Sequence, residues 1–424
     1  MRLPDPCEPL DVLSRIEPYT SIIVPIANGE PVALLDALEE RAAGLVGVTV
    51  HQMHALYDRP YLHGVHAGPL DHVSYFLSET TRPPFRAGTI GFVPCHFSEM
   101  PLLLSRRPSP TIVVAAVSMP DRHGYVSLGT NADYAAAFIG KLPFYAEANP
   151  QMPRTFGRNQ LHLSQLSGWS VRDHPLVEVA PKEPAEIDRR IGRLVADRIP
   201  DAATVQVGIG AIPNAVLDQL CDHRDLGIHT ELLSDGVVNL VEAGVVTGIH
   251  KHRRPGKVVA TFCLGTRKLY DFIHENPIVE LLPVDWVNDS RIIGSDPLFV
   301  SINATTEVDL LGQCASETIG GRYWSGSGGQ SDFARGAMYS EHGKGFIVLH
   351  STTRGGSKSR IVSRLSPGSV VTTLKNTVDH VVTEHGVAEL RGRTVRERAL
   401  ALIRIADPGF RDELERDAYE LDYL

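Results

Sequence analysis

The chain has no apolar run approaching the ~18–20 residues that a membrane-spanning helix needs. Its best candidate, 111–117, has the length of a buried strand instead. Nor is there an excess of basic residues: 41 Lys and Arg against 50 Asp and Glu give a net charge of −9, which excludes the polycationic surface that nucleic-acid backbones require. Cysteine is scarce. Cys7, Cys95, Cys221, Cys263 and Cys314 are scattered with no CxxC pair, so neither a disulfide framework nor a thiolate zinc site is expected. The histidines supply no substitute, because His51 and His54 form an HxxH without the glutamate of a zincin helix, and His250 and His252 lie in a basic stretch. Metal-free chemistry follows. Residues 1–18 mix prolines and acids and lack the basic start and apolar core of a signal peptide. These absences predict a cytoplasmic protein with no nucleic-acid or membrane partner.

What is present is a globular composition, 43% hydrophobic over 424 residues, long enough for two or three domains. Short runs rich in Val and Ile recur at 21–25, 46–50, 111–117, 204–207, 257–262, 345–349 and 369–373. Amphipathic segments at 31–41, 184–198 and 214–220 lie between several of them. That alternation predicts βαβ units, mainly parallel sheets and an α/β class. Residues 152–182 match neither period and contain Pro175 and Pro181, with a charged helix beginning near Glu186. The boundary is therefore expected near 180, separating domains 1–180 and 181–424.

The two halves share a unit. Pro31-Val-Ala-Leu-Leu-Asp-Ala-Leu38 aligns with Pro213-Asn-Ala-Val-Leu-Asp-Gln-Leu220, and each octet follows a strand and a glycine-containing turn. The following strands also align, Gly47-Val-Thr-Val-His51 against Gly227-Ile-His-Thr-Glu231. Duplication accounts for this agreement of position, type and order. It pairs His51 with Glu231, so a carboxylate-based site would belong to the second half alone.

Three stretches of that half carry chemistry. In Val205-Gln-Val-Gly-Ile-Gly-Ala-Ile-Pro213 a strand runs into a GxG turn and a helix start, which is either a tight βα turn or an anion cradle built from backbone NH groups. The third glycine of a dinucleotide fingerprint would fall at Pro213, whose ring cannot replace a bare backbone. A nucleotide-dependent oxidoreductase is thereby disfavoured. In His229-Thr-Glu-Leu-Leu-Ser-Asp-Gly236, Glu231 ends a predicted strand ahead of a turn and the amphipathic stretch 237–243. Ligands of open α/β sheets bind outside such strand ends, so Glu231 is a candidate nucleophile or base as well as a possible helix cap. Finally, Trp324-Ser-Gly-Ser-Gly-Gly-Gln-Ser-Asp-Phe-Ala-Arg-Gly336 places Gly326, Gly328 and Gly329 in a turn able to take positive φ and converge NH groups on an oxyanion. Bracketing by Tyr323, Trp324 and Phe333, which call for burial, argues against a flexible linker.

These stretches, with Pro94-Cys-His-Phe-Ser-Glu-Met-Pro101, Gly124-Tyr-Val-Ser-Leu-Gly129 and Val382-Thr-Glu-His-Gly-Val-Ala-Glu-Leu-Arg-Gly-Arg393, resemble the acetyl-CoA hydrolase/transferase family of class I CoA-transferases from about residue 10 onward. The resemblance implies two related α/β domains with the active site in the cleft between them. It implies Glu231 as nucleophile and Gly329 as a catalytic oxyanion donor. CoA-contacting positions would be Gly208, Ile209, Gly210, Ala211, Ile212, Asn303, Gly326, Gly328, Gly329 and Arg354, the last standing where relatives often carry lysine. His51 and Glu384 would face the substrate. No cofactor would be held permanently: coenzyme A and acyl-CoA would be substrates, with small carboxylic acids as partners and a homodimer or homotetramer as the assembly. The implied reaction moves CoA between a short-chain acyl-CoA and a carboxylate such as acetate, butyrate or 4-hydroxybutyrate, through a glutamyl-CoA thioester. Hydrolysis of acyl-CoA by the same glutamate is the alternative, since the two differ only in whether water is excluded. Either way the ligand is polyanionic, and local cations and NH groups must receive it on a protein of net negative charge.

Overall fold

In a computed structural model, which describes residues 5–14, 16–353 and 355–424, the chain divides into two compact units. Unit 1 comprises 1–179 and 259–287, and unit 2 comprises 180–258 and 288–424.

Unit 1 is built on a seven-stranded sheet. Its strands are β1 (Ser21–Ile23), β2 (Val48–Gln52), β3 (Leu70–Ser74), β4 (Gly91–Phe92), β5 (Thr111–Ser118), β6 (Phe144–Asn149) and β7 (Gly168–Val171), in the order β7-β6-β5-β1-β2-β3-β4. Every pairing in it is parallel. Helix α1 (Val32–Glu40) follows β1 and buries Leu34, Leu35 and Leu38, which join Ile22, Val24, Val48, Val50 and Leu70 in one apolar cluster. Sheet residues buried on both faces explain the continuous rather than alternating apolar runs.

Unit 2 repeats the local plan. Its six strands are β8 (Thr204–Val207), β9 (Gly227–Ile228), β10 (Phe299–Ala304), β11 (Lys344–Val348), β12 (His380–Thr383) and β13 (Gly386–Glu389), ordered β9-β8-β10-β11-β12-β13. All pairs are parallel except β12 with β13. Helix α2 (Glu186–Ala196) leads into β8, α3 (Ala211–Asp218) connects β8 to β9, and α4 (Asp235–Glu242) follows β9. The aligned octets thus occupy equivalent crossovers, β1-α1-β2 and β8-α3-β9, each joining parallel neighbours. The turns before them differ. Ile26, Ala27 and Asn28 are buried, whereas Ile209 is 68% exposed.

Three expectations need correction. The segment 259–287, assigned from sequence to the second domain, packs with unit 1: Glu280 and Leu281 pair with Phe156 and Gly157. The Tyr270 hydroxyl also meets the Asn28 side chain at 2.9 Å, and Val179 N donates to Gly265 O. The chain therefore leaves unit 2 and returns, which no local pattern announces. Residues 369–373 form no strand beyond an isolated bridge of Thr373 with Cys314, and the strand of that region is β12. The Ser-Asp-Gly of 234–236 is not a separate turn, because α4 already begins at Asp235.

Candidate active site

Parallel pairing puts the carboxyl ends of β8, β9, β10, β11 and β12 along one edge of the unit 2 sheet. Every described second-half candidate except the glycine loop follows or ends one of these strands. Glu231 leaves β9: His229 N still donates to Val205 O at 3.2 Å, and the buried Thr230 hydroxyl lies 3.3 Å from Val207 O and 3.1 Å from Leu232 O. This pins the exit of the strand, so Glu231 projects from a fixed backbone.

Its carboxylate is held by two donors. Asn288 Nδ2 donates to Glu231 Oε2 at 2.7 Å, and the Gly329 NH donates to the same carboxylate. Asn288 is fully buried, and its Oδ1 meets no hydrogen-bond partner among the described residues. Asp332 Oδ2 lies 3.5 Å from the same Asn288 nitrogen. Although the residue keeps some accessible surface, burial of the Glu231 carboxyl dominates its titration and, with the Asp332 charge, outweighs the two donors. Its pKa is pushed up to about 7. A carboxylate of that basicity is a stronger nucleophile than a solvated one, and an appreciable fraction stays ionised near neutrality.

The second donor comes from the start of α6 (Gln330–Tyr339), for which Gly329 is the N-cap. A helix N-terminus favours negative charge in front of it. Gly329 is required for space rather than conformation: its φ is −99°, but a Cβ there would stand 2.0 Å from Glu231 Oε2 and 2.3 Å from Asn288 Nδ2. Of the three loop glycines only Gly328 has positive φ, +52°, so the expected turn needs that freedom once. Phe333 is buried but Trp324 is 42% exposed, and the bracketing argument holds for the first and not the second.

Packing fixes where α6 starts. Gly336 admits Ile293 of α5 (Ser290–Ile293), since a Cβ would lie 2.3 Å from Ile293 Cγ2. Gly294 likewise admits Tyr339, 2.6 Å from its would-be Cβ. This close approach sets Asn288, just ahead of α5, against Gly329. On the other side Ser331 Oγ donates to Thr372 O at 2.5 Å and Gln330 Nε2 to Thr373 Oγ1 at 3.1 Å. Residues 372–373 serve as a brace in place of the expected strand.

The remaining candidates lie further along the edge. Gly208 donates its NH to Ile302 O at 2.9 Å, so that amide is occupied, while Ile209, Gly210, Ala211 and Ile212 form the start of α3, where the first NH groups of a helix lack intrahelical partners. Asn303 is bound to Gln206 by reciprocal amide hydrogen bonds of 3.2 and 3.0 Å, with its Oδ1 3.4 Å from a would-be Cβ of Gly208. Its side chain therefore braces the turn. Glu384, after β12, accepts from the Ser351 NH at 2.9 Å and from the Ser351 hydroxyl. It lies four strands from β9, roughly 19 Å at the usual ~4.8 Å spacing, and clamps the exit of β11. Gly326 is buried in the loop. Arg354 lies outside the described residues.

His51 belongs to unit 1. It pairs within the sheet, is fully buried, and its Nδ1 lies 3.2 Å from the Tyr75 hydroxyl. Burial, assisted by Arg107, pushes its pKa down to about 3, so the ring is neutral. The alignment of His51 with Glu231 matches a residue inside a strand to one beyond a strand. Sequence reasoning missed Asn288 and Asp332. Asp332 stood inside the quoted glycine loop, whereas Asn288 has no local signal.

The acetyl-CoA hydrolase/transferase C-terminal domain profile matches residues 265–418. The chain is 43% identical to a 4-hydroxybutyrate coenzyme A transferase of Clostridium kluyveri, over 95% of this chain and 94% of that one. It is 42% identical to a succinyl-CoA:cyclohexane-1-carboxylate CoA transferase of Geobacter metallireducens, over 99% and 96%. A solved 4-hydroxybutyrate CoA-transferase from Porphyromonas gingivalis superposes with a TM-score of 0.82 at 37% identity, covering 98% and 97% of the two chains. The chain belongs to the acetyl-CoA hydrolase/transferase family.

Proposed function

We propose that the protein is a CoA-transferase that moves CoA between a short-chain acyl-CoA and a free carboxylate, with Glu231 as its covalent nucleophile. One observation carries the assignment of the residue: a desolvated glutamate, raised to about 7, is aimed by Asn288 and by the amide that heads α6. No ordinary structural carboxylate needs that combination, because burying a charge against a second acid is unfavourable unless the site uses it.

The steps balance without a metal or redox partner. The ionised Glu231 oxygen attacks the thioester carbonyl of the donor, the carbon–sulfur bond breaks, and CoA leaves as a thiolate beside an acyl–glutamyl anhydride. The thiolate attacks the glutamyl carbonyl, releasing the donor acid as its carboxylate and leaving glutamyl-CoA. The acceptor carboxylate attacks that thioester, reforming an anhydride and the thiolate. Attack of the thiolate on the acyl carbonyl completes the new acyl-CoA and frees Glu231. In the two steps at the glutamyl carbonyl, the Asn288 NH2 and the Gly329 NH are already directed at the oxygen that becomes the oxyanion, a preorganisation that contributes roughly 3–4 kcal/mol per donor in comparable sites.

Coenzyme A is a substrate in this reading and no resident cofactor is needed. The start of α3 at 209–212, braced by Asn303, is where its anionic part would be received. Five free cysteines fit a reducing cytoplasm. Incubation with acyl-CoA is expected to leave the wild type carrying one CoA in thioester linkage, by intact mass, and to leave Glu231→Gln unmodified. An adduct of equal yield in the variant would remove Glu231 from the role. CoA release that does not depend on an added carboxylate would replace transfer by hydrolysis.

A further inference from the structure

In the reaction above Asp332 has no part. It is the third residue of α6, where an acid ordinarily complements the helix dipole, yet its carboxylate lies 3.5 Å from the amide nitrogen that holds Glu231. We propose that Asp332 is a positioning residue of the reaction, which keeps the Glu231 carboxylate strongly nucleophilic by acting on it through the shared Asn288 amide. This rests on the reading of Glu231 as nucleophile.

Both carboxylates meet one nitrogen, at 2.7 and 3.5 Å, so the two oxygens stand no more than about 6 Å apart. Between the screening of bulk water and that of a protein surface, like charges at this distance shift ionisation by about 0.5–2 pH units. The direction is the observed one, since the Asp332 charge contributes to raising the pKa of Glu231. The other charged and titratable neighbours are accounted for differently. Asp289, next to Asn288, is bound by Arg291 at 3.0 and 2.7 Å. Asp235 begins α4. His229, two residues before Glu231, packs its ring against Phe299 and Phe333 with centroids 5.9 and 6.3 Å away. Asn288 and the Gly329 NH are neutral. Asp332 is the charge that reaches Glu231 through its own hydrogen-bond donor. A more basic carboxylate attacks a thioester faster once ionised, so the arrangement exchanges activity at acid pH for reactivity above neutrality.

Asp332→Asn keeps the shape and an oxygen for Asn288 while removing the charge. In the full-length enzyme, the rising limb of kcat/KM for acyl-CoA against pH is expected to move to lower pH by about 0.5 unit or more. In the same variant kcat at pH 8.5 falls, KM for acyl-CoA stays within about twofold because uniform binding is untouched, and Asp332→Glu returns the limb toward the wild-type position. A limb that does not move, in a variant melting as the wild type does, overturns the proposal while leaving Glu231 in place. Failure of the underlying reading shows separately, as an undiminished CoA adduct on Glu231→Gln. Asp332→Ser, which suits a first helical turn, provides the same measurement if the asparagine variant does not fold.

Discussion

Gly329→Ala separates the chemistry of the site from its stability. The backbone there, φ −99° and ψ 7°, accepts an L side chain, and alanine in place of glycine at an N-cap costs on the order of 0.5–1 kcal/mol. The added Cβ would nevertheless stand 2.0 Å from Glu231 Oε2 and 2.3 Å from Asn288 Nδ2, and it is these side-chain ends that can yield. Displacing the partly exposed carboxylate toward water costs the folded state little, but it takes the Asn288 and Gly329 donors off the oxygen that becomes the oxyanion, and each such donor contributes roughly 3–4 kcal/mol to the transition state in comparable sites. Even partial retention leaves a deficit of roughly 3–4 kcal/mol in the transition state, a 10²–10³-fold lower kcat. Transfer of CoA from acetyl-CoA to butyrate, followed by chromatography of the acyl-CoA pool, measures this. For units of this size the stability term lowers the melting temperature by only about 2–4 °C. A kcat within twofold of wild type would refute the placement of Gly329 against Glu231. So would a fall of more than about 8 °C that tracks the loss of activity, because the glycine would then be structural.

Two further outcomes follow from the same geometry. The folded pKa of Glu231, about 7, lies above the unfolded value of ~4.5, so its contribution to stability is present below pH 4.5 and is lost as pH rises through 7. Glu231→Gln should therefore be more stable than the wild type at pH 8, by about 1–3 kcal/mol after allowance for its partial exposure, and the difference should shrink toward pH 4.5; equal denaturation midpoints at both pH values would contradict the burial argument. Asn288→Ala removes the 2.7 Å bond and is expected to lower kcat about 10–100-fold with little change in KM. A variant that instead raises KM alone would assign Asn288 to substrate binding.

The fold was legible in the sequence where it depends on local pattern. Continuous Val-rich runs at 111–117 and 204–207 became β5 and β8, and the repeated octets became equivalent crossover helices, because a strand buried on both faces and a one-sided helix leave different periods in the chain. The run at 369–373 failed for the same reason. Five apolar and polar residues of strand-like composition carry no mark of how far a neighbouring strand is there to pair with; at 372–373 the backbone pairing stops at Cys314, and Ser331 and Gln330 of α6 bond to the same two residues.

The candidate site divides likewise. Glu231 could be singled out because a glutamate running into Leu232 and Leu233 at a strand exit is unusual, and Gly329 because glycines cluster around it. Their contact, and the insertion of Asn288 between Glu231 and Asp332, could not be found that way. Glu231 and Asn288 are 57 positions apart and are brought together by the glycine-mediated approach of α5 to α6.

By itself, then, the sequence determined the α/β class, the repeated crossover and the family motifs, and it singled out the candidate carboxylate, since each is written in residue types at short spacing. Tertiary structure alone decided that 259–287 belongs with unit 1 and that Asn303 and Glu384 brace turns. It also decided that His51 is a buried neutral ring and that Glu231 has its basicity raised. These are consequences of which distant groups share a low-dielectric space, and burial and neighbouring charge exist only after the chain has folded.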